Sequence, residues 1–411
     1  METKVVILFI TLIFIVLLLI TSLLFLFWKR TRRIGLWTFS VLTILLIGFG
    51  FYHFTPRHFK RNYLFNTAKW DSASFRPYSD TIHFYIGAAG DAKAISDPLF
   101  NRNFNSITPE NDLKMRALLK NGNVGQYDFR HTDSLVNSAL SKNMRVRGHT
   151  LIWGKLSDRF KAPDLERYLK KFPAEQRRTE LWNLMENYIT TVLNHYRGKI
   201  KIWDVVNEPL QFSQSRGLEK NVYYRYLGEG YIAKSFLLAK SVDPDLKLYL
   251  NEQLNGYSDK RAEAFYELVK KLKDNAIPIT GVGIQSHVIL DCPDLGDFER
   301  YLKRIAALGL EIEITELDAR LRLFKDTPDP YKAQGEFYGK LLSICLNIPA
   351  CKGVTFWGYC DNHCWYDHIP FCAKPNEPYL FDKYKKPKPA YESIYTTLKQ
   401  YAANRYLKKV N

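Results

Sequence analysis

Two glutamates stand where apolar segments end. KIWDVVNEPLQ, at 201–211, is apolar and rich in β-branched and aromatic residues as far as Val206, then delivers Asn207, Glu208 and Pro209. LEIEITELD, at 310–318, ends in Glu316 and Asp318. An unpaired buried carboxylate is costly, so two of them at strand tips point to chemistry rather than packing. Paired carboxylates are the minimum for cleaving a glycosidic bond: one protonates the leaving oxygen, the other attacks the anomeric carbon or activates water. Other segments end in groups of the same kind: Glu110, Asn111 and Lys114, then His149 and Trp153, Asn251 and Glu252, Gln285 and His287, and Trp357 with Trp365 beyond it. Indoles can stack on sugar faces, and amides, acids and imidazoles can bond hydroxyls. Each has a plainer role open to it. Glu110 and Glu252 could sit at helix N-termini, where the dipole favours acids. His149 could be a satisfied core histidine, and Trp203, Trp357 and Trp365 could simply pack.

The elements that would position these groups alternate. Strand-like segments fall at 82–87, 104–107, 145–152, 201–206, 246–251, 279–285, 310–316 and 353–357. Helical periodicity fills the gaps, as at 179–197 and 259–274, where apolar residues recur three and four apart. Strand–helix alternation implies a parallel sheet, and eight strands close a (β/α)8 barrel, with its site at the C-terminal strand ends. The predicted fold class is therefore α/β, a TIM barrel over 79–402. An open doubly wound sheet is the alternative, but IGAAGD at 86–91 is a poor match to its phosphate loop. Residues 403–411 read as a basic tail and 55–78 as a linker.

The first 54 residues are of another kind. Residues 5–28 are an uncharged apolar run, and 34–52 are a second, separated by the basic loop at 29–33. Each is long enough to cross a bilayer. The loop predicts a two-helix hairpin with its turn in the cytoplasm, which leaves the catalytic domain extracytoplasmic, periplasmic or extracellular. The net charge is +17, and residues 1–69 contribute +8 of it. No lysine- or arginine-rich motif stands out beyond them, so a nucleic-acid partner is not expected. All six cysteines, Cys292, Cys345, Cys351, Cys360, Cys364 and Cys372, follow residue 290. An even count beyond a membrane anchor fits disulfides, and Cys345 and Cys351 bracket a turn-like insert that a bridge could close. The pairing of the others stays open. Their spacing with His363 and His368 matches no zinc pattern, so neither a metal nor a cofactor is expected.

Taken together, FNSITPEND, GHTLIW, WDVVNEP, GIQSH, ITELD, GVTFWG and LFDKYKKPKPAYESI resemble glycoside hydrolase family 10, the retaining endo-β-1,4-xylanases, over about residues 82–400. The resemblance implies Glu208 as acid/base and Glu316 as nucleophile, with Asn207, His287 and Asp318 in support. It implies sugar contacts from Glu110, Asn111, Lys114, His149, Trp153, Gln285, Trp357 and Trp365. It also implies a Cys345–Cys351 disulfide, xylan or xylo-oligosaccharides as substrate, and a monomeric catalytic domain. The chain departs from the family pattern at Met115, Gly154, Leu156 and Gln253, all around the expected cleft. A different β-linked glycan, or a non-catalytic, membrane-anchored glycan-binding barrel, are the alternatives those departures keep open. A membrane scaffold that holds a partner on its basic surface is a further one.

Overall fold

The computed structural model describes residues 67–70, 72–154, 164–211, 217–254, 256–369, 372 and 374–410. The two apolar runs before residue 54 lie outside them, as does Leu156. Among the described residues no helix is long and apolar enough to cross a membrane.

Eight parallel strands form the centre: β1 (Tyr85–Gly90), β2 (Ser106–Pro109), β3 in two short stretches (Arg145–Val146 and Ile152–Trp153), β4 (Ile202–Asn207), β5 (Lys247–Glu252), β6 (Gly281–Ile284), β7 (Glu311–Ala319) and β8 (Cys351–Phe356). The middle of β3 closes the barrel. Arg147 N donates to Ile107 O of β2 at 2.9 Å, while Gly148 N donates to Ile202 O of β4 at 2.9 Å. Gly148 is needed there, because a Cβ would fall 2.2 Å from the Trp203 ring. Trp203 is fully buried and belongs to the core, not to the cleft.

Both faces of each strand are covered, so β4 reads as an almost unbroken apolar run, buried throughout. The covering helices are α1 (Pro98–Asn103), α2 (Arg130–Ser141), α3 (Arg177–His195), α4 (Tyr231–Val242), α5 (Lys260–Asp274), α6 (Leu295–Ala307), α7 (Pro330–Leu346) and α8 (Pro389–Val410). Side-chain carboxylates or amides cap several of their N-termini, as Asp259 does for α5 by accepting from Ala262 N at 2.8 Å.

The barrel interior is charged. Arg145 donates to both Glu313 oxygens at 2.7 and 2.8 Å, Arg147 Nη1 donates to Glu313 Oε2 at 3.0 Å, and Arg147 Nη2 donates to Asp204. Asp204 in turn bonds His149 Nδ1 at 2.9 Å. Burial alone would push Asp204 and Glu313 up, but the two guanidiniums, and His149 beside Asp204, hold both carboxyls below their ordinary range.

Two boundary expectations and one bridging expectation change. Residues 67–78 are not linker: Trp70 stacks edge-on against Tyr395 at 5.0 Å, and Phe75 packs on Phe104 at 5.5 Å. Residues 403–410 continue α8, and Arg405 Nη1 donates to Ile82 O at 2.9 Å. All six cysteines are free thiols, so the expected Cys345–Cys351 bridge is not formed. The two thiols are neighbours within hydrogen-bonding reach, and both are buried between α7 and β8.

Candidate active site

The strand tips converge at one end of the barrel. Asn207 and Glu208 leave β4 there, and Asn251, next to last in β5, lies opposite Asn207 in register. Glu316 and Asp318 lie near the end of β7, and His287 follows β6 and pairs with Asp318. Both strands that lead to the glutamates slip by one residue close to them. In β4, Asp204 pairs with Tyr249 but Val206 with Leu250. In β7, Ile314 pairs with Val354 but Leu317 with Phe356. These bulges let Asp204 and Asn207, and likewise Glu313 and Glu316, turn inward although three residues apart.

Glu316 meets only donors. Asn251 Nδ2 donates to its Oε1 at 2.8 Å, and His287 Nε2 lies 3.0 Å from its Oε2. His287 Nδ1 lies 2.9 Å from Asp318 Oδ1. Burial opposes a charge on this imidazole, but Asp318 and Glu316 more than offset it and raise its pKa to about 10. At neutral pH both ring nitrogens therefore carry hydrogens and donate. Asp318 is itself held by Trp365 Nε1 at 2.7 Å and by the Tyr366 hydroxyl.

Glu208 is half-buried and sits in an amide environment. Gln285 Nε2 donates to its Oε1 at 3.1 Å, and Asn207 Nδ2 approaches the same oxygen at 3.5 Å. Asn207 Oδ1 accepts from Asn251 at 2.8 Å and from Gln285 at 3.2 Å. A chain of amides thus joins the two carboxylates. Lys114 Nζ bonds Asn111 Oδ1 at 3.2 Å and lies 4.8 Å from the Trp153 ring centre. Burial pulls its ammonium below the usual range, against the opposing pull of Glu316, Glu110 and Glu208. Trp357 stands edge-on to His149 at 5.4 Å and to His287 at 5.9 Å.

The residues picked out from the sequence are therefore drawn together, with roles sharpened. Trp365 and His149 are wired to buried carboxylates rather than free to pack. Glu252 is not a helix-terminal acid: it is fully buried and pairs with Arg261 at 2.8 Å. Thr315 and Tyr366 have no counterpart in the sequence reading, and Asn251, named there only as a strand-end group, turns out to bond Glu316 directly. Thr315 Oγ1 orients Asn251 by donating to its Oδ1 at 2.7 Å.

The departures from the family pattern also have physical contents. A Cβ on Gly154 would lie 2.2 Å from Asn221 Nδ2, so Asn221 occupies the space a side chain there would enter. Gln253 is buried and brackets His287, donating to its carbonyl at 2.9 Å and accepting from its N–H at 3.2 Å. Met115 is core. Among the described residues no group of three or more His, Cys, Asp or Glu is placed to hold a metal ion.

The sequence profile of glycosyl hydrolase family 10 matches residues 78–397. A β-1,4-xylanase of Dictyoglomus thermophilum is 35% identical over 323 residues, 76% of this chain and 88% of that one. An endo-1,4-β-xylanase of Geobacillus stearothermophilus is 33% identical, covering 75% of this chain and 94% of its own. Among solved structures, xylanase 10B of Thermotoga petrophila with xylobiose superposes with a TM-score of 0.71 at 32% identity, covering 80% of this chain and 98% of that one.

Proposed function

The chain belongs to glycosyl hydrolase family 10, and from that premise we propose that it hydrolyses internal β-1,4-xylosidic bonds in xylan and xylo-oligosaccharides with retention of anomeric configuration. The observation that carries this is the convergence of Glu208 and Glu316 at one end of the barrel, joined through the amides of Asn207 and Asn251. Glu316 receives an amide hydrogen from Asn251 and an imidazolium hydrogen from His287, which orient it for attack. Glu208 accepts from the Gln285 amide, with the Asn207 amide beside it, and in this reading it carries the proton that the leaving oxygen takes. In the first step Glu208 protonates the glycosidic oxygen, the bond from C1 to that oxygen breaks, and a Glu316 oxygen bonds C1. In the second step Glu208 takes a proton from water, the water oxygen bonds C1, and Glu316 leaves as carboxylate.

Glu110, Asn111, Lys114, His149, Trp153, Gln285 and Trp357 surround this pair and are assigned to the sugar. The departures at Gly154 and Gln253 keep decorated xylan, short xylo-oligosaccharides and another β-linked glycan as substrates to test beside plain xylan. Product analysis on a panel of β-glycans tests both levels. Release of xylo-oligosaccharides with the β-anomer formed first is expected. No release from any β-glycan would overturn the enzymatic reading.

We further propose that residues 1–54 anchor the enzyme in a membrane with the barrel outside the cytoplasm. The support is the pair of uncharged apolar runs and the basic loop between them. Carbonate-resistant membrane association, with the barrel open to added protease on intact cells, is the expected outcome. Recovery of the full chain in the soluble fraction would overturn it.

A further inference from the structure

Glu252 ends β5 and is fully buried, yet no step of the hydrolysis uses it. Its oxygens are both occupied. Oε1 accepts from Gln253 N at 2.8 Å and from Arg261 Nη2 at 2.8 Å. Oε2 accepts from Leu210 N at 3.0 Å. Leu210 lies two residues past Glu208, and Pro209 between them has no N–H to offer. The Glu208 N–H donates to Asn251 O at 2.9 Å. The turn that carries Glu208 is therefore tied to the tip of β5 at both ends, by the Asn251 carbonyl and by the Glu252 carboxylate.

That tie has something to hold. Glu208 has a φ of 51°, in the left-handed region that a non-glycine residue keeps only when its surroundings enforce it. Arg261, from the first turn of α5, completes the clamp. Its Nε donates to Gln253 O at 2.7 Å and its Nη1 to Gln211 O, the residue after Leu210. The Glu252 carbonyl also accepts from Gln285 N at 3.0 Å, and the Gln285 amide bonds Glu208 Oε1 at 3.1 Å.

We propose that Glu252, clamped by Arg261, is a positioning residue for the acid/base: its carboxylate fixes the turn that aims Glu208 at the glycosidic oxygen. The inference rests on the reading of Glu208 as acid/base. It makes a prediction that a merely structural role does not. A mis-aimed acid slows departure of poor leaving groups, which need a proton, and spares good ones, which do not.

The experiment uses the full chain and aryl and alkyl β-xylobiosides graded from good to poor leaving groups. The readout is kcat/KM, which reports the glycosylation step. Glu252→Gln and Glu252→Ala should lose about tenfold or more on poor leaving groups and change little on activated ones, with xylobiose inhibition unchanged. Arg261→Lys keeps the charge but cannot reach Gln253, Gln211 and Glu252 together. It should show the same pattern more weakly, and it decides the matter if the Glu252 variants fail to fold. An equal loss on all leaving groups, or no loss, would overturn the inference. Glu208→Ala separates the two levels. If it shows the leaving-group pattern and the clamp variants do not, only the clamp falls; if it does not show the pattern, the acid/base reading itself falls.

Discussion

Glu316 takes a hydrogen bond from the protonated His287, whereas Glu208 lies beside the amides of Gln285 and Asn207, and these two settings give the sharpest expectations at the residue scale. Glu316→Ala removes the attacking oxygen and should abolish turnover on every substrate. Glu208→Ala should cost about 10²–10⁴ on xylan, while an activated aryl xylobioside still forms the glycosyl-enzyme. A burst of released phenol with slow turnover is the signature to measure. His287 carries a pH prediction whose sign follows from its shift. Its pKa rises from 6.5 to about 10 on folding, so the stability it contributes is complete below pH 6.5 and is lost as pH rises through about 10. Urea midpoints should therefore fall between pH 7 and pH 10. Asp318→Asn, which removes the larger of its two charge partners, should flatten that fall. Equal slopes for wild type and variant would exclude the assignment. Most of these groups were legible in the sequence because strand tips announce themselves: an apolar run stops, and an acid, amide or indole follows. Thr315 and Tyr366 were not legible. Thr315 sits inside an apolar strand, and Tyr366 acts only because the loop after β8 folds back over Asp318.

Strand pairing brings the two glutamates together: Glu316 lies within β7, and Glu208 opens the turn that leaves β4. The alternation of strands and helices was readable because both faces of each strand are covered, and the eight strands fall close to their expected places. The bulges in β4 and β7 were not readable. A strand's side chains alternate with period two, so Asp204 and Asn207 read as facing opposite ways, as do Glu313 and Glu316. Only the pairing with β5 and β8 reveals the extra residue that turns them to the same side. The charged interior was hidden for the same reason, because Arg145, Arg147, Asp204 and Glu313 are spread over three strands. Arg147 is the link between the two buried carboxylates. Arg147→Met leaves Asp204 with His149 but no guanidinium, and Glu313 with Arg145 alone, and should lower unfolding stability by roughly 3–5 kcal/mol, read from the denaturant midpoint. A loss within about 0.5 kcal/mol, the range of an ordinary surface change, would mean the network does not contribute as described.

At the scale of the whole molecule, the barrel begins earlier than composition suggests. The stretch at 67–78 looks like linker because it is short, polar and without period, but Trp70 and Phe75 are buried against α8 and the start of β2. Trp70→Ala should cost about 3–5 kcal/mol, a thermal shift that a tethering segment would not produce. The C-terminal tail was misread in the same way, since α8 carries its basic residues as the last turns of a helix. The column from Arg145 through Glu313, Arg147 and Asp204 to His149 has a consequence for how this protein can change over generations. Losing one member strands a buried charge, whereas replacing an entire buried ion set with well-packed apolar residues can be nearly neutral. Single steps away from the present interior are therefore costly, while a concerted replacement can be nearly neutral. The four barrel residues below His149 are expected to drift as a set, and a lineage that holds this arrangement is held to it by the cost of the first substitution.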